Sequence, residues 1–140
     1  MPTVEVNVPE YTEPERLKGK YAVRILRSHG LMDDGGDLKN VVIDFMVIDG
    51  PNFSDGSSPL DREITLFVPF YEKDTWKDSY KKRMAELRSK LLTFGDVDAS
   101  QFDTENDLVG KELWVACSPG TDPNDIVVDQ IRDIVSKYEG

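Results

Sequence analysis

Apolar and polar residues alternate along most of the chain, with one change of period near its middle. "TVEVNV" sets Val4, Val6 and Val8 against Thr3, Glu5 and Asn7. It predicts a short strand or an extended arm before the connector "PEYTEPERLKG". In "KYAVRILRS" Tyr21, Val23 and Ile25 face one way and Arg24 the other, which predicts the first strand of the fold. "HGLMDDGGD" after it reads as a mobile loop rich in Gly and Asp. "NVVIDFMVIDG" places Val41, Ile43, Phe45 and Val47 on one face and Val42, Asp44, Met46 and Ile48 on the other. A second strand with both faces at least partly covered is expected there. A long turn, "GPNFSDGSSP", leads to the third strand, "DREITLFVPF". Ile64, Leu66 and Val68 alternate in it with Glu63, Thr65 and Phe67, and Pro69, which has no N–H, ends the pairing.

The period then changes. Trp76, Tyr80, Met84, Leu87, Leu91 and Phe94 recur at steps of three and four residues, the apolar stripe of a helix. Thr75 and Asp78 have the spacing of a capping box, and Gly95 stands where the helix should stop. Beyond an acidic loop, "LVGKELWVACS" predicts a fourth strand, "SPGTDPND" a turn and "IVVDQI" a fifth, with "RDIVSKYEG" after it. Three strands, a helix and two strands is the order of a five-stranded OB-fold barrel with its helix between strands 3 and 4. An SH3-like barrel or a half-open α+β sheet fits the same order. The expectation is a mainly β protein: an N-terminal arm or extra strand with its connector over residues 1–17, and one domain over 18–140.

Composition narrows the function classes. The chain has 140 residues and a formal net charge of −10, long enough to bury a core without staples. Neither a membrane-spanning apolar run nor a signal peptide is visible, so a cytoplasmic protein is expected. The single cysteine, Cys117, excludes an intramolecular disulfide. From Lys73 to Lys90 seven cations face three acids, so this segment carries +4 and the remainder −14. At about 100° per residue, Lys77, Lys81 and Arg88 fall on one flank of the apolar stripe, Arg83 and Lys90 on the other, and Lys82 at the back. These cations read as a solvated rim whose stems cover the core. The Lys77–Lys81–Arg88 flank is a secondary path for a polyanion.

No enzyme signature emerges, and no cofactor is implied. His29 has neither the partners nor the "GxSxG" elbow of a triad, and Gly110–Lys111 lacks the glycine spacing of a phosphate-binding loop. "DVDASQFDTEND" begins like a calcium loop at Asp96, Asp98 and Ser100. It has Gln101 where the sharp turn needs Gly and Asp107 where a bidentate Glu is needed. One histidine and one cysteine cannot build a structural zinc site. Nucleic acid remains: binding of single strands needs cations along the phosphates and aromatic faces for the bases. The candidates near the strands are Arg24, Arg27, Lys39 and Arg62, with Phe67, Phe70 and Tyr71. Phe53 and Trp114 are further aromatics, and Phe45 and Trp114 are expected in the core. Phe67 is the best placed ring, since it lies opposite Ile64, Leu66 and Val68. Arg24 and Arg27 share a face only if a bulge separates them.

"KGKYAVRIL", "VVIDFMVIDGPNFSDG", "LRSKLLTFG" and "DLVGKELWVA" together resemble, in order and spacing, a bacteriophage family of OB-fold single-stranded-DNA-binding proteins. This family was long catalogued as a domain of unknown function. The likeness covers roughly residues 18 to 131, and its most specific pieces are the strand ending in "DGP" and the "LVGKELWV" segment. It implies non-enzymatic protection of exposed single strands in phage replication, recombination or repair, in the cytoplasm of an infected bacterium. It also implies recruitment of replication or recombination enzymes, and a binding face around strands 2 and 3 with the adjacent loops. Many such proteins end in a flexible acidic tail, whereas "RDIVSKYEG" is short and mixed in charge. The alternative is a structural or adaptor barrel that adds its N-terminal arm to a neighbour or to a second copy.

Overall fold

The computed structural model describes residues 3–6 and 15–140. Five antiparallel strands and one helix follow in order: β1 (Gly19–Met32), β2 (Leu38–Asp49), β3 (Glu63–Pro69), α1 (Asp78–Phe94), β4 (Glu112–Thr121) and β5 (Val127–Lys137). The sheet order is β3-β2-β1-β4-β5. This is the circular order of an OB-like barrel left unpaired between β3 and β5. The protein is mainly β, with its helix between strands 3 and 4.

Inward positions make one core. Val23 and Ile25 of β1 meet Val41, Ile43, Phe45 and Val47 of β2 and Ile64, Leu66 and Val68 of β3. Leu113, Val115 and Cys117 of β4 and Ile131 and Ile134 of β5 close the far side. Each fully buried Leu, Ile, Val or Phe is worth about 1.5–3 kcal/mol. α1 contributes Met84, Leu87 and Leu91 and packs on β3 and β5, so it covers the opening left by the unpaired strands. At one end of that opening Arg62 and Asp129 bridge it at 3.2 Å, and Asp129 also accepts from the Leu17 amide at 2.7 Å. Leu17 is fully buried beside them.

Several boundaries differ from the sequence reading. β1 runs on to Met32, so the "HGLMDDGGD" loop shrinks to residues 33–37. β2 holds His29, Gly30 and Leu31 through register with Val42, Val41 and Asn40. Residues 108–111 precede β4 as a turn, and β4 continues through Pro119 and Gly120 because β5 pairs with it as far as Val127. β5 extends to Lys137. No capping box forms at Thr75: the helix opens at Asp78 after Lys77, with no side-chain cap. Gly95 ends the helix, but with φ −83°. The left-handed residue is Asp96, φ 54°. Glycine is needed at 95 for space, since a Cβ there would lie 2.7 Å from Leu108. Residues 3–6 are not in a strand, and Val4 and Val6 are exposed; the rest of the expected arm lies outside the described residues. Among the described residues no helix is long and apolar enough to cross a membrane.

Removing one partner from a largely buried ion pair strands the other. Asp129→Asn is therefore expected to cost about 2–3 kcal/mol in urea unfolding, with Arg62→Ala on top of it costing less than the two separately. Additive effects would show that the bridge does not tie β3 to β5.

Candidate nucleic-acid interface

A single extra residue creates the outer surface of β1. Ile25 pairs with Phe45 and Arg27 with Asp44, so Leu26 is a bulge, and Arg24 and Arg27 emerge on the same side. Successive rows then cross β1, β2 and β3: Arg24, Met46 and Glu63; Arg27, Asp44 and Thr65; His29, Val42 and Phe67. Phe67 is 61% exposed, as the alternation along β3 requires once Leu66 and Val68 point inward.

The arginines of this face are already engaged. Arg24 donates to Glu112 at 2.8 Å. Arg27 donates to Asp44 at 3.0 Å and to Glu63 at 2.9 Å. Hydrogen bonds from the Thr65 hydroxyl and then from Arg27 hold the Asp44 carboxyl below its usual range, against the opposing effect of desolvation. At the edge of the face His29 Nδ1 meets Glu105 at 2.7 Å, and Ser28 donates to the Thr104 carbonyl at 2.5 Å. Gly30 is what lets this loop dock, since a Cβ there would meet Thr104 at 2.5 Å. The flanking β1–β2 and β4–β5 turns carry Asp33, Asp34, Asp37, Asp122 and Asp125, so they bring no cations.

Arg62 lies elsewhere. Its guanidinium sits 4.6 Å from the Phe53 ring, donates to the Glu15 carbonyl and bridges to Asp129. It is part of the barrel's closure and does not join Phe67. Phe53 is in the core. Trp114, expected in the core, is only half-buried: it alternates with the inward Leu113 and Val115 and stacks edge-on against Tyr138 at 5.3 Å. Cys117 is buried, and desolvation pushes its thiol up to about 12, so it is not a nucleophile at neutral pH.

Rings and free cations coincide where β3 leaves the sheet for α1. Tyr71 lies 5.2 Å from Trp76, and Trp76 lies 4.8 Å from Tyr80. Lys39 is the extra residue of another bulge, between the pairs Leu31–Asn40 and Met32–Leu38, and its Nζ stands 5.9 Å from the Tyr71 ring. Among the described residues neither Lys39, Lys77 nor Lys81 forms an ion pair. Trp76 and Tyr80 were assigned by their spacing to a buried stripe. Trp76 precedes the helix and is half-buried against the core, whereas Tyr80 at the first turn is 40% exposed. The signal in the sequence was their place at the head of the stripe, ahead of the first buried member, Met84.

Arg88 parts from Lys77 and Lys81. It turns inward over Phe70 at 5.8 Å, Phe70 packs on Phe102 at 6.0 Å, and the Arg88 Nε and Nη2 atoms are buried without a hydrogen-bond partner. Phe70 is thus part of the packing around the helix. A scan against protein-family models and a search of curated proteins found no match to this chain.

Two buried donor atoms without a partner are costly even on a half-buried guanidinium. Arg88→Met keeps the stem and is expected to raise stability by about 1–3 kcal/mol in thermal or urea unfolding. A loss of stability would mean that the guanidinium is satisfied in solution.

Proposed function

We propose that the protein is a non-enzymatic binder of single-stranded DNA. One observation carries this reading: Tyr71, Trp76 and Tyr80 pack in series, and Lys39 stands over Tyr71. Lys77 and Lys81 follow Trp76 and Tyr80 in the chain, and all three lysines are free of ion pairs among the described residues. Exposed or half-exposed rings next to free ammonium groups are what sequence-tolerant binding uses, with bases stacking and phosphates following the charge. Phe67, two pairs along β3 from the Pro69–Asn40 end, extends the stacking surface onto the sheet. The OB-like strand order supports the same reading. The resemblance to the phage family supports a setting in replication, recombination or repair, in an infected bacterial cytoplasm, with enzymes of those processes as partners.

The acidic remainder of the chain confines contact to this region and works against duplex, whose two backbones would meet it. An arm that joins a neighbouring protein is the second reading, favoured by the exposed Val4 and Val6.

Fluorescence anisotropy with a mixed-sequence oligonucleotide of about 16 nucleotides, the upper end of what one OB-fold covers, tests the proposal. Binding should exceed that of the matching duplex. Three lysine–phosphate contacts predict a log–log salt slope of about −2. Trp76→Ala should cost about 1–3 kcal/mol, whereas Lys82→Ala, on the far side of the helix, should change little. Absence of binding at low salt, or equal effects of the two substitutions, would overturn it.

A further inference from the structure

We infer that the β1–β2–β3 face receives bases and not phosphates, and that it favours cytosine and adenine, whose amino group stands where thymine carries a carbonyl, over thymine. The inference rests on the single-strand reading above and specifies what each part of that surface touches.

Arg24 and Arg27 look like phosphate contacts until their partners are counted. Two guanidinium groups face three carboxylates, Glu112, Asp44 and Glu63, each within 3.0 Å. The group is net negative, and Glu105 beside His29 adds to it. A phosphate here would have to displace carboxylates held by residues of β1, β2, β3 and β4 at once. A few residues away Lys39, Lys77 and Lys81 offer unpaired charge. Phosphates therefore run along the β3–α1 junction and leave the sheet to the bases.

The same ion pairs leave acceptors ready. Arg24 engages only Oε2 of Glu112, and Arg27 only Oε1 of Glu63. Glu112 Oε1 and Glu63 Oε2 accept from no described residue, yet their carboxylates are fixed by the arginines. Glu63 lies on the same face of β3 as Thr65 and the exposed ring of Phe67. Strand geometry puts same-face neighbours about 6–7 Å apart. A base stacked on Phe67 leaves its neighbours within reach of Thr65 and Glu63. A carboxylate accepts from the amino group of cytosine N4 or adenine N6, whereas thymine presents a carbonyl at the corresponding place.

Homopolymer competition tests this. Unlabelled dC and dT strands of about 16 nucleotides compete for the wild-type protein against a labelled mixed strand at neutral pH. dC should compete at least about fivefold better than dT. In the Glu63→Gln/Glu112→Gln double variant, which leaves the inward side chains untouched, that preference should collapse. Its salt slope should steepen by about 0.7, since Arg24 loses its one carboxylate while Arg27 keeps Asp44. Arg24→Ala should leave the wild-type slope unchanged, whereas Lys81→Ala should flatten it by about 0.7. Thermal unfolding by circular dichroism verifies that each variant is folded. Equal or better competition by dT, or a slope flattened by Arg24→Ala, would overturn the inference while leaving the single-strand reading intact. If neither homopolymer competes and the labelled strand does not bind, the single-strand reading itself fails.

Discussion

Arg24, Arg27 and Arg62 are each held by a carboxylate from a neighbouring strand: Glu112 on β4, Asp44 on β2 with Glu63 on β3, and Asp129 on β5. The pairs of Arg24 and Arg27 are exposed and contribute little to stability, unlike the largely buried Arg62–Asp129 bridge, but together they determine where positive charge is left over. In a chain of net charge −10 most cations near the sheet find a partner. Lys39, Lys77 and Lys81 are without an ion pair among the described residues and stand where the chain turns from β3 into α1, while Lys20 on β1 and Arg132 on β5 are unpaired elsewhere on the sheet. The functional reading follows from the contrast between the β1–β2–β3 face, where Arg24 and Arg27 are neutralised, and the junction, where lysines without ion pairs alternate with Glu72, Asp74 and Asp78 beside the rings.

The pairs depend on the backbone. Without the bulge at Leu26, Arg24 and Arg27 would lie on opposite faces and Asp44 would have no cation beside it. The bulge at Lys39 brings its ammonium group towards Tyr71. The extra residues that curve an OB-like sheet are therefore the ones that aim its charges. The opening between β3 and β5 is managed separately, by α1 lying over it and by the Arg62–Asp129 bridge at one end.

The fold was legible because its signals are local. Alternation at Ile64, Leu66 and Val68, and the stripe from Met84 through Leu91, each identify an element with no knowledge of the rest. Phe67 could be placed outward by the same parity. Strand ends were less legible, since β1 beyond Ser28 and β5 beyond Ile131 are held by pairing to residues far along the chain. The site was legible in composition more than in arrangement. Arg24, Arg27 and Lys39 were identified as cations, but nothing in their neighbours tells which will be neutralised, because Glu112 is 88 residues from Arg24. Arg62 and Arg88 illustrate the same limit: both were read as binding cations, and the fold turns one into a bridge and the other inward over Phe70. Periodicity puts Tyr80 in the same stripe as Met84 and does not tell that its end of the stripe is exposed, while Trp76 does pack, half-buried, against the core.

The two tryptophans permit a direct measurement. Trp76 belongs to the ring series at the junction, and Trp114 lies on β4 against Tyr138. Emission from Trp114→Phe reports Trp76 alone, and emission from Trp76→Phe reports Trp114 alone. Titration of both with a single-stranded oligonucleotide should quench the first strongly and saturably and leave the second nearly unchanged. Quenching confined to Trp114, or none at either, would contradict a binding surface built on the β3–α1 junction.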